Sequence, residues 1–109
     1  MNKPSRSQDL ETEQGRTTEE WLRVFAITIM GVVGALERGL WTAEVAVRDF
    51  FNAENCLFVE KRLKNKTAWE IMGRGAQLPD LFDALDPEMA KREFTAELRR
   101  IRELGESLL

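Results

Sequence analysis

Thirteen consecutive residues, Val24 to Leu36 (VFAITIMGVVGAL), carry no charge, with Arg23 before them and Glu37-Arg38 after them. The run has helix signals at both ends. Thr17-Thr18-Glu19-Glu20 fits a capping box, in which the threonine hydroxyl accepts from the Glu20 N–H and the glutamate reaches back to the cap. Gly39, directly after Arg38, suits the left-handed residue past a helix end, and Arg38 has the right sign for the negative end of the dipole. The helix so defined runs for about 21 residues, roughly 30 Å. Trp21, Val24, Phe25, Ile27, Ile29, Met30, Val32, Val33 and Leu36 fall on nearly every side of it, which predicts a central core helix buried all round and wrapped by shorter ones. A membrane span needs roughly 18 or more apolar residues, so the shorter run here points to a soluble core helix.

Gly31, Gly34 and Ala35 lie together on one side of this helix. Two glycines in mid-helix cost about 1 kcal/mol each in propensity, which is offset when a second backbone approaches closely over them. These three residues are therefore interface candidates.

The rest of the chain reads as short helices. Thr42 suits a cap for Ala43 to Phe51, Asn55 one for Cys56 to Lys64, and Thr67 one for Ala68 to Arg74 with Gly75 as terminator. Pro79 opens a segment to Leu85, and Asp86-Pro87 gives a cap and proline start for the last helix. In that last helix Ala90, Phe94, Leu98, Ile101, Leu104 and Leu108 recur at three- and four-residue steps, with charges on the other sides. Such a narrow stripe marks a surface helix with one seam, and Leu98, Ile101 and Leu108 are further interface candidates. Alternating β-branched runs and hairpin dipeptides are missing, so the expected fold class is all-α.

Residues 1 to 16 are too polar to offset the entropy of ordering, so a flexible polar tail is expected there and a single helical domain over 17–109. A length of 109 residues suits one domain with a core of its own, yet one small enough to gain from dimerisation. The net charge of −3 argues against general nucleic-acid binding, because a phosphate backbone demands a positive surface. One cysteine allows no internal disulfide and no cysteine metal framework, and the start of the chain has no apolar signal-peptide core. A cytoplasmic location follows as the expectation.

The segment Ala43-Glu44-Val45-Ala46, the following Phe50-Phe51-Asn52, and Gly75-Ala76-Gln77-Leu78-Pro79-Asp80-Leu81 ahead of a charged C-terminal helix carry a resemblance. Over about residues 43–109 the chain resembles a family of short bacterial all-helical proteins catalogued only as a domain of unknown function. The resemblance implies a helical, bacterial protein and supplies no activity or site residues.

The chain contains no histidine and no tyrosine. Serine–histidine and cysteine–histidine nucleophile pairs and histidine-bearing zinc sites are thereby excluded. Cys56 near a helix start, with Lys61 close by, is a candidate thiolate, against the plainer reading of a semi-buried structural cysteine. Asp80 and Asp83 share a helix side, as a magnesium site for phosphate chemistry requires, but no second acidic pair accompanies them. Lys61, Arg62, Lys64 and Lys66 form a basic patch that gives a DNA-associated regulator as another alternative. Leu57, Phe58 and Val59 stand where base-reading side chains would be needed, which favours a core role for that segment.

The residues do not single out an enzyme, and no cofactor or metal is expected. Three tryptophans, six phenylalanines and the apolar first helix make more greasy surface than a thin ring of short helices covers. The expected function is therefore that of a protein-interaction or homo-oligomeric assembly module, with a homodimer as the first partner, another protein as the second, and neither nucleic acid nor a membrane expected.

Overall fold

The structure, a computed structural model, describes residues 16–109. The tail expected at the N-terminus therefore lies outside the described residues, except for Arg16. The fold is all-α. In chain order it comprises α1 (Thr18–Glu37), α2 (Ala43–Asp49), α3 (Ala53–Phe58), a π-helical turn (Val59–Leu63), α4 (Lys66–Ala76), α5 (Leu78–Ala84) and α6 (Pro87–Glu106).

Local chemistry sets most of these boundaries. Thr17 caps α1 in a full capping box: its hydroxyl accepts from the Glu20 N–H at 3.1 Å, and its own N–H donates to Glu20 Oε1 at 2.8 Å. Arg38 closes the helix, and Gly39 follows at φ +73°, the left-handed region a glycine enters without strain. Thr42 caps α2 and Asp86 caps α6, as their sequence contexts predict. Two caps lie elsewhere. Asn52, and not Asn55, caps α3, accepting from the Asn55 N–H, while Asn55 turns its amide back to the Phe50 carbonyl. Asn65, and not Thr67, caps α4, accepting from the Ala68 N–H at 2.9 Å.

In the π-helical turn the Lys64 N–H reaches the Val59 carbonyl five residues back, and Val59 and Leu63, four residues apart on one face, are buried at 1% and 2% exposed. Lys64 then takes a left-handed conformation, φ 48°, reversing the chain into α4.

The two long helices carry the core. α1 packs against α6, which also receives α4 and α5. Phe25, Ala26, Ile29, Val32, Val33 and Leu36 of α1 are buried and follow one stripe. They meet Leu98, Ile101 and Leu104 of α6, with Phe51 from the α2–α3 connection and Leu63, Ile71, Met72 and Leu78 from the shorter elements closing the core. Gly105 lets α6 come close to α1, because a Cβ there would stand 2.6 Å from Met30 Cε and 3.1 Å from Ile29 Cγ2. Gly75 does not terminate α4; it lies inside the helix, buried, where a Cβ would overlap the Phe51 ring.

The expectation that α1 is buried all round is corrected by its other side. Val24 is 36% and Ile27 63% exposed, and Gly31 is exposed as well. The shorter helices gather on the α6 side of α1. Among the described residues, no helix is long and apolar enough to cross a membrane.

Candidate functional site

At 100° per residue, Glu20, Val24, Ile27, Thr28, Gly31, Gly34, Ala35 and Arg38 all lie within about 60° of one line along α1, on the side away from the buried stripe. Between its charged ends this face is uncharged. Its one hydroxyl is already engaged: Thr28 donates back to the Val24 carbonyl at 2.8 Å, which leaves the methyl to the surface. A Cβ placed on Gly31 or on Gly34 would meet nothing within 4 Å. The close backbone approach expected over these glycines is therefore made by no element of the described chain. Gly31 is exposed, Gly34 and Ala35 are half-buried, and all three belong to this open face.

Beside the face lies a shallow hollow lined by Trp21, Val24, Thr28 and Phe58. Trp21 stacks edge-on to Phe58 at 5.6 Å and has the Arg16 guanidinium 4.9 Å above its ring. Its indole N–H is buried and has no acceptor among the described residues.

The α6 candidates are placed differently. Leu98 and Ile101 are 2% and 0% exposed and sit in the core of their own chain, so the seam read from the sequence is satisfied by α1 and is not a surface for another copy. Leu108 follows the end of α6, half-buried against the same core.

Lys61, Arg62, Lys64 and Lys66 are all exposed around the π-helical turn and the start of α4. Arg62 stacks over Phe58 at 5.8 Å. Leu57, expected in the core, is 52% exposed. Asp80 and Asp83 stand exposed on α5, while Asp86 is committed to the Met89 N–H at 3.0 Å. Among the described residues, no three His, Cys, Asp or Glu side chains gather closely enough to hold a metal ion. Cys56 is the fourth residue of α3, half-buried, and burial pushes its thiol above the usual range, the opposite of what an activated thiolate requires.

One feature on the far side escaped the sequence reading. Trp69, 51% exposed, borders a groove between α4 and α6 lined also by Gly73, Leu78 and Leu81. Arg74 spans this groove, donating to Glu70 at 2.9 Å and to both carboxylate oxygens of Glu97 at 3.0 Å. The four-residue spacing of Glu70 and Arg74 was available as a signal, but Glu97 comes from a separate helix. The groove's cation is thus neutralised within the chain.

No protein-family model, curated protein or solved structure matches this chain.

Proposed function

We propose that this protein is a homo-oligomeric assembly module whose working surface is the outward face of α1. The observation that carries the reading is an uncharged helix face, Val24, Ile27, Thr28, Gly31, Gly34 and Ala35, with two glycines over which the described chain lays nothing. Glycines at those positions weaken the helix by about 1 kcal/mol each, and packing against a second helix offsets that cost. Scattered exposed apolar residues are common, whereas Val24 and Ile27 lie exposed on one uncharged helix face together with two uncovered glycines, the make-up of a contact surface. A second copy is always present at the chain's own concentration and carries the same face.

Sedimentation equilibrium tests this reading with Gly34→Leu. The added side chain enters open space in the single chain, so the dissociated chain should fold and melt as well as the native one, while the leucine fills the gap a second helix needs. The expected result is a dimer for the native protein and a monomer for the variant. A native protein that sediments as a monomer at every concentration would end the proposal.

A further inference from the structure

Resting on the reading of α1 as an assembly face, we infer that the partner is a second copy docked antiparallel, with the two-fold axis passing level with Ile29. The ends of the face carry opposite charges on one line: Glu20 in the first turn and Arg38 at the C-cap. Both are exposed, and Arg38 forms no ion pair among the described residues. Glu20 uses Oε1 for the capping box, which leaves its other oxygen free. In a parallel pair Glu20 would face Glu20 and Arg38 would face Arg38, and like charges would meet at both ends. Antiparallel docking brings Glu20 of one copy to the partner's Arg38, twice.

The apolar residues between them choose the same register. Glu20 and Arg38 lie nine residues either side of Ile29, Val24 and Gly34 five, and Ile27 and Gly31 two. An antiparallel two-fold at that level therefore sets every large side chain beside a glycine of the other copy: Ile27 by the partner's Gly31, and Val24 by the partner's Gly34. Gly31 and Gly34 have the room to receive them, since a Cβ at either would touch nothing. Parallel docking would set Ile27 against Ile27 and glycine against glycine, leaving bulk and gap unmatched. Such an interface is isologous and closes at two copies instead of growing into a filament. Its length, about 27 Å along the helix, makes it a small interface, so the dimer should dissociate on dilution.

Disulfide trapping separates the orientations. Cys56, the single cysteine, is replaced by serine, and Val24→Cys and Gly34→Cys are made in separate chains of that background, one of them tagged for size. In the antiparallel register the two Val24 positions are about 15 Å apart, beyond the roughly 7 Å limit for a disulfide, and so are the two Gly34 positions. Mild oxidation should therefore cross-link the mixture into a product joining tagged and untagged chains, at a yield at least tenfold above either variant alone. Efficient cross-linking of either variant by itself would overturn the antiparallel arrangement in favour of a parallel one. A dimeric mass by light scattering with no cross-link in any sample would overturn the inference by moving the interface off α1. A monomeric mass throughout would overturn the assembly reading itself. Both substitutions sit on the open face, and circular dichroism melts of each chain report whether it has folded.

Discussion

Arg102 of α6 grips Glu37 of α1 with both terminal guanidinium nitrogens, each donating to a different carboxylate oxygen, across 65 residues of sequence. The pair joins the end of the apolar helix to the last helix, beside the core that the two share. It is about one third in water, with the side chains 35% and 36% exposed.

That exposure limits its worth to about 1 kcal/mol or less. The hydrogen bond from Arg102, helped by its charge, holds the Glu37 carboxyl below its usual value of 4.5. A carboxylate whose pKa is depressed by folding stabilises the protein above its unfolded pKa, and the contribution is lost as pH falls through the folded value. Arg102→Ala should therefore lower the melting temperature by a few degrees at pH 7. Lowering the pH below that usual value should progressively erase the difference between variant and native protein. A difference that persists undiminished at pH 2 would assign the effect to lost packing of the arginine stem.

Two glycines of α4 should respond to alanine with opposite signs. Gly75 faces the Phe51 ring, which a Cβ would overlap, so Gly75→Ala should destabilise by about 1–3 kcal/mol. Gly73 has open space at the same atom, so Gly73→Ala should stabilise by roughly 0.5–1 kcal/mol through helix propensity. Urea unfolding of both variants checks the pair.

The start of α4 is tested by the side chain that holds it. Asn65→Ala removes the acceptor for the Ala68 N–H and should cost about 1 kcal/mol. Thr67→Ala, two residues later and already inside the helix, should change stability by less than about 0.5 kcal/mol. Thermal melts that rank the two the other way would move the helix start to where the sequence first suggests it.

What the sequence made legible was local. Thr17 with Glu20, Thr42, Asp86 before Pro87, and Gly39 after Arg38 each act within a few residues, and each stands where its spacing predicts. Asn52 and Asn65 were harder because Asn55 and Thr67, also capping residue types, lie close by; tertiary packing selects between Asn52 and Asn55, while at α4 the better capping type, asparagine, is the one used. The buried side of α1 left only a faint signature: Phe25, Ile29, Val32, Val33 and Leu36 recur at three- and four-residue steps, but the outward Val24 and Ile27 are just as apolar and mask it. The stripe of α6 was readable, but its partner was not: Leu98 and Ile101 meet α1 of the same chain. Gly75 illustrates the same limit, because its need for a missing Cβ comes from Phe51, in the connection between α2 and α3.

The outward face of α1 is best tested by light scattering over a dilution series, with native protein beside Ile27→Glu. Ile27 is 63% exposed, so the substitution should leave the melting of the single chain nearly unchanged. The expected result is a native mass near twice 12.6 kDa that falls on dilution, and a variant that stays at 12.6 kDa throughout. A native monomer at every concentration, or an Ile27→Glu variant that dimerises as the native chain does, would contradict the assignment of this face as the interface.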